Sequence, residues 1–126
     1  MREIRFRAWK SWRKPAMLYS GQFDIKWSSE TGRYQAIDRT RFDSQWDMPL
    51  MQSTGLKDKN GKEIYEGDII KFEHDPNEFE NYKISWGTAT FYAESLEDNE
   101  YNNSLWDMPR ENMEVIGNIY ENPEMI

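Results

Sequence analysis

The chain has 126 residues and no cysteine. That absence removes disulfides, thiol nucleophiles and thiolate metal sites together. It fits a reducing cytosol without requiring one. Histidine is nearly absent too: His74 stands alone, in an acidic stretch beside Asp75. One imidazole cannot build a multi-histidine zinc site, and it leaves a hydrolytic triad a single candidate base. No apolar run approaches the roughly 18 residues needed to cross a bilayer. The basic start, MREIRFRAWK, has no apolar block behind it and does not read as a secretory signal. Long stretches of 3.6-residue periodicity are missing as well, so helix is expected to be minor. These gaps describe a cytoplasmic protein that does not enter a membrane.

Aromatic residues are plentiful, at 15% with six Trp, although charged residues make up 31%. Such aromatic content implies a folded core rather than disorder. A chain of this length fits one domain or two small joined parts. Charge is placed unevenly. Residues 1–47 carry ten Lys/Arg against six Asp/Glu, a net charge of +4. Residues 48–126 carry six against seventeen, a net charge of −11. The asymmetry is either self-neutralisation within one fold or the mark of a nucleic-acid or assembly surface.

Period-two alternation dominates the pattern, as expected for half-buried strands. Ile4, Phe6 and Ala8 alternate with charged neighbours, which puts Arg5 and Arg7 on the outer face of a first strand. SWRKP (11–15) reads as a turn into AMLYS. Phe23, Ile25 and Trp27 alternate in a second hairpin that turns at SSETG (28–32) and returns through RYQAI (33–37). Pro49 argues against a central strand across 38–50. IIKFE (69–73) is a strand and HDPNE (74–78) a loop. Tyr82, Ile84 and Trp86 alternate up to Gly87, then Ala89, Phe91 and Ala93. ESLEDNEYNN (94–103) is a loop or a short helix. EVIGNIY (114–120) is a last strand whose glycine marks a bulge. SQWDMP (44–49) and SLWDMP (104–109) echo each other, but the flanks do not extend the match, so no repeat architecture follows.

The most patterned stretch is TGLKDKNGKEIYEGDII (54–70). Asn60-Gly61 predicts a type I′ hairpin turn, with both residues at positive φ. Lys57, Asp58, Lys59, Lys62 and Glu63 suit exposed arms, and Ile64 and Tyr65 are apolar anchors. Glu66-Gly67-Asp68 is a second tight turn into a core strand. A calcium loop is excluded by Gly61 at its fourth position and Lys62 at its fifth. A Walker loop is excluded by the spacing of Gly55 and Gly61 and by Glu63 where Ser or Thr is required. Asn60, Gly61, Gly67 and Asp68 are therefore expected to be structural.

REIRFRAW at the start, TGLKDKNGKEIYEGDII in the middle and EVIGNIYENPEMI at the end resemble the three signature blocks of the YopX family. That family comprises small phage and prophage proteins of bacteria of the Bacillus, Staphylococcus and Streptococcus kind. Two departures are Lys10, where an acidic residue is more usual after FRAW, and Ser53, where an aromatic often precedes TGL. The resemblance implies a mainly β fold of phage origin, acting in the bacterial host's cytoplasm. It implies no activity and transfers no catalytic residue.

Candidate chemistry is sparse. Glu78/Glu80, Glu94/Glu97/Asp98/Glu100 and Asp68 lack convergent spacing and read as solvated faces. No catalytic, metal-binding or cofactor-binding residue is assigned, and no enzymatic activity is expected. A basic, Trp-bearing surface is the sharper candidate: Arg5, Arg7, Lys10, Trp12, Arg13 and Lys14. It could meet a partner or neutralise phosphates while Trp9 and Trp12 stack on bases. The expected architecture is mainly β, with N-terminal hairpins over 1–52 joined to a small barrel-like or sandwich-like part over 53–126 that shares a core with them. The expected function is that of a non-enzymatic accessory protein binding copies of itself or a host protein. Nucleic-acid binding through the first strand is the alternative, and an acidic C-terminal half that mimics DNA is a further one.

Overall fold

The computed structural model describes residues 5–12, 14–30, 32–38, 48–87, 90–97 and 102–126. The fold is mainly β: among the described residues strand makes up 62% and no helix reaches seven residues. The chain divides into two compact units, one ending at Gln52 and the other running from Ser53 to Ile126.

In the N-terminal unit, β1 (Phe6–Lys10) is flanked by β2 (Ala16–Tyr19) and by the first residues of β5 (Leu50–Lys57), both antiparallel. A separate two-stranded sheet pairs β3 (Phe23–Ser28) with β4 (Arg33–Asp38) in unbroken register from Phe23↔Asp38 to Ser28↔Arg33. Ala8, Phe23, Ala36 and Met48 form the buried cluster of this unit, with Phe6, Trp12, Leu18 and Leu50 packed against it. Met48 reaches the cluster through a lone bridge to Ala36. Pro49 sits just outside β5, as its missing N–H requires.

In the C-terminal unit, five antiparallel strands form a curled half-barrel in the order β10-β9-β8-β7-β11. They are β7 (Asp68–Asp75), β8 (Glu78–Gly87), β9 (Thr90–Ser95), β10 (Asn102–Ser104) and β11 (Met113–Asn118). The later part of β5 pairs with β6 (Glu63–Tyr65). Ile64, Ile70, Phe72, Tyr82, Ile84, Phe91, Ala93, Leu105, Met108 and Met113 form its core. Burying each large apolar side chain contributes about 1.5–3 kcal/mol. The only helices among the described residues are 3-10 turns at Leu105–Asp107, Arg110–Asn112 and Pro123–Met125.

Three local expectations are corrected here. The Asn60-Gly61 turn is not type I′. Gly61 has φ +81, whereas Asn60 is not at positive φ. Gly61 N–H donates to the Asp58 carbonyl at 3.0 Å, and Asp58 N–H donates to the Lys62 carbonyl at 2.9 Å. That closes a three-residue loop in which only the last residue needs the left-handed region. Asp58, expected on an exposed arm, is 1% exposed. Its carboxylate accepts hydrogen bonds from three backbone N–H groups, which hold it inside. The loop expected over 74–78 contracts to a tight turn at Pro76-Asn77, because Asp75 pairs directly with Glu78. Proline fixes the first central residue, and Asn77 takes φ 68 at the second, the signature of a type II turn.

The bulge expected near Gly117 is present, as a register shift between Val115 and Gly117. In the SxWDMP echo, Met48 and Met108 are both buried while Trp106 is exposed on a 3-10 turn; Trp46 lies outside the described residues.

Candidate interaction surface

Directly paired residues in an antiparallel sheet share a face, and so do residues two apart along a strand. Phe23, Ile25 and Trp27 on β3 therefore share one face with Tyr34 and Ala36 on β4. The face begins inside the unit: Phe23 and Ala36 are buried. It then runs out of cover. Ile25 is 44% exposed, Trp27 53% and Tyr34 63%. Trp27 and Tyr34 meet edge to face, with ring centroids 5.1 Å apart. A shallow groove lined by Arg33, Tyr34, Met48, Pro49 and Leu50 adjoins them. β3 has β4 as its sole strand neighbour among the described residues. Among the described residues, the apolar stripe lies beside a strand edge with no sheet neighbour.

This surface was missed at the level of sequence. Alternation identifies Phe23, Ile25 and Trp27 as one face but does not say how far the core reaches beneath it. The position of Trp27 next to the SSETG turn is the one available hint, because hairpin tips extend beyond the body that supports them.

The basic surface is only partly assembled. Arg5 and Lys14 are exposed and Lys10 is half-buried. Arg7 is corrected: it is 3% exposed, since β1 is a central strand and Arg7 stands between Tyr19 and Met51 on its two neighbours. Trp12 packs against the apolar cluster, and the Lys10 ammonium lies 5.9 Å from its ring centroid. Trp9 is half-buried, and its backbone N–H donates to the Pro49 carbonyl at 3.1 Å. Arg13 lies outside the described residues. The strand thus offers fewer cations and less free aromatic face than its sequence suggests.

The central and terminal signature blocks come together in the C-terminal unit as a buried polar scaffold. Asp58 Oδ1 accepts from the N–H of Asn60 and of Lys62, and Oδ2 accepts from Val115 N–H, all at 2.9 Å. Lys59 N–H donates to the Met113 carbonyl at 3.0 Å, and the Lys59 ammonium meets Glu114 at 3.0 Å. The turn thereby covers the outer edge of β11. Burial pushes the Asp58 carboxyl up, but the Val115, Lys62 and Asn60 donors and the Lys62 charge outweigh it and hold the group below the ordinary carboxylate range.

The second turn is fixed in the same way. Gly67, at φ +87, donates to the Ile84 carbonyl and accepts from Ile119 N–H, while Asp68 accepts from Tyr65 N–H at 2.8 Å. Asn118 Oδ1 accepts from the N–H groups of Tyr120 and Glu121, which folds the chain back after β11. Asn60, Gly61, Gly67 and Asp68 all sit at turns held by backbone hydrogen bonds.

His74, expected to be solvated, instead joins a side-chain network, because it lies on β7 within reach of Glu80 and Tyr82 on the paired strand β8. Its Nε2 lies 3.0 Å from Glu80 Oε2 and 2.8 Å from the Tyr82 hydroxyl. Tyr82 donates to Glu80 Oε2 at 2.9 Å, and the Ser95 hydroxyl donates to Glu80 Oε1. The Ser95 donor does most to hold the Glu80 carboxyl below its ordinary range; burial opposes it, and Tyr82 and His74 add to it. Nucleophilic catalysis needs the base against the nucleophile. Here the carboxylate stands between His74 and Ser95, and Ser95 is 1% exposed. The carboxylates expected on solvated faces are partly engaged too: Glu94 accepts from Ser85 and pairs with Lys83. Asp98 and Glu100 lie outside the described residues.

Comparisons with known proteins cover nearly the whole chain. The model of a family described as YopX protein matches residues 5–126. A crystal structure of protein EF1440 from Enterococcus faecalis is 30% identical, with a TM-score of 0.62 over 98% of this chain and 97% of that one. The crystal structure of protein yopX from Bacillus subtilis is 21% identical, with a TM-score of 0.62 over 97% of each chain. No curated protein matches the chain.

Proposed function

The chain belongs to the YopX family, and from that premise we propose that it is a phage- or prophage-encoded accessory protein of the bacterial cytoplasm that works through protein contacts rather than catalysis. Its partner is a second copy of itself. One observation carries this reading: the apolar face of the β3–β4 hairpin outruns its core and leaves Ile25, Trp27 and Tyr34 exposed. Trp and Tyr are the side chains most often found as interface anchors. A two-stranded sheet is marginal by itself, and added strands stabilise it. No helix among the described residues is long and apolar enough to cross a membrane.

Co-expression of two differently tagged copies tests the proposal, with capture on one tag from nuclease-treated host lysate. The second tag is expected to co-purify, and to be lost when Trp27→Ser and Tyr34→Ser are combined. Recovery that vanishes with nuclease alone would instead favour nucleic-acid binding through Arg5, Lys10 and Lys14. Replacement of the second copy by one host protein would make the hairpin a host-binding surface.

A further inference from the structure

We propose that Asn60 is a self-acting modification site, guarded by the turn that carries it, and that its conversion uncovers the edge of β11. Asn60 is the one asparagine of the chain followed by glycine. Glycine has no Cβ to hinder its own nitrogen. In the reaction the Gly61 nitrogen gives its proton to hydroxide and attacks Asn60 Cγ. The N–Cγ bond forms and the Cγ–Nδ2 bond breaks, and Nδ2 takes a proton from water and leaves as ammonia. Water then opens the cyclic imide at either carbonyl. One product is aspartate. The other is isoaspartate, in which the chain runs through the former side chain and gains a backbone methylene. Both carry a new carboxylate, and water is the sole co-reactant.

Solvent reaches the site but the nucleophile is withheld. Asn60 and Gly61 are exposed, and nothing lies within 4 Å of where a Gly61 Cβ would stand. Gly61 N–H, however, donates to the Asp58 carbonyl at 3.0 Å, and it must leave that carbonyl before its nitrogen can meet Cγ. Asp58 Oδ1 accepts from Asn60 N–H and from Lys62 N–H, both at 2.9 Å. The residues on either side of the reacting amide are thereby fixed. The buried carboxylate also opposes an anion forming beside it. Conversion therefore waits for local opening of the turn.

The same turn covers β11. Lys59 N–H donates to the Met113 carbonyl, and Val115 N–H to Asp58 Oδ2. The three-residue loop is closed by paired hydrogen bonds between Asp58 and its neighbours, and an extra backbone methylene breaks that closure. Isoaspartate at position 60 thus frees the Met113 carbonyl and the Val115 N–H. An unpaired strand edge is a template for another strand, and the change is one-way.

The test ages the full chain in mildly alkaline buffer, once folded and once unfolded in urea, and follows conversion at Asn60 by peptide mass mapping. The folded chain is expected to convert about 10-fold more slowly, or slower still, because only its opened fraction reacts. Asp58→Asn, shown to be folded by circular dichroism, is expected to convert several-fold faster than wild type. Ile84→Ala, a core truncation of comparable cost away from the turn, is expected to accelerate conversion less. In aged wild type, the isoaspartyl fraction is expected to exchange its Val115 amide hydrogen faster than the unmodified fraction, a readout that stands even if a variant fails to fold. Equal rates in the folded and unfolded chain, or no conversion in the unfolded chain, would overturn the proposal. Unchanged exchange at Val115 would overturn the uncovering of β11.

Discussion

Replacing Asp58 by asparagine swaps one carboxylate oxygen for an N–H donor. Three backbone N–H groups converge on that carboxylate, so at least one donor is left facing another. Loss of the charge-assisted bonds is expected to cost about 2–3 kcal/mol, read from urea unfolding at pH 7. The sign of the pH dependence follows from the depressed carboxyl. Its contribution is complete above the unfolded value of about 3.9 and is lost as pH falls through the lower folded value. The gap between wild type and Asp58→Asn should therefore close as pH drops below about 4. A gap that stays constant down to acid unfolding would show that the carboxylate charge contributes nothing. At Gly117, an added Cβ would lie 2.5 Å from Asn122 Oδ1. Gly117→Ala is expected to cost roughly 1–3 kcal/mol, and combination with Asn122→Ala should cost less than the two separately. Additive costs would place the strain elsewhere. Little of this residue chemistry was legible in sequence. Asp58 reads as one more charge among lysines, and its burial depends on Val115, 57 residues away.

Elements were far more legible. Alternation located β1, β3, β4, β7, β8 and β9, although in β3 and β4 the apolar face it marks runs beyond the core. It misjudged Arg7, since a strand with neighbours on both edges can cover its second face as well. It also misjudged the reach of His74, whose partners Glu80 and Tyr82 arrive from the next strand. Asn60-Gly61 marked a turn correctly but not its type, because Asn accepts either sign of φ and Lys59, the first loop residue, was taken for an arm. The β3–β4 hairpin carries the prediction that belongs at this scale. Trp27→Ser with Tyr34→Ser removes exposed rings and no core side chain, so thermal stability measured at low protein concentration should change by less than about 1 kcal/mol while self-association is lost. A large drop in stability at low concentration would mean that the rings hold the unit's own fold.

For the whole molecule, the charge asymmetry separates two modes of assembly. Up to Gln52 the chain carries +4, and from Ser53 onward −11. A basic-on-acidic contact between copies would dissociate as salt screens it. Association through the exposed β3–β4 stripe brings like-charged units together around a small apolar seam, so raising salt should leave it unchanged or tighten it. The division into a basic and an acidic part was legible from composition. Which surface stays uncovered was not, because exposure is settled only when the strands have packed.

Sedimentation equilibrium of the wild-type chain over a range of protein concentration, beside the Trp27→Ser, Tyr34→Ser variant, tests the central claim most directly. The account predicts a wild-type mass at a multiple of the 15.2 kDa chain and a variant that sediments as the single chain. A wild-type chain that remains at 15.2 kDa up to its solubility limit, or a variant that assembles as well as wild type, would contradict it.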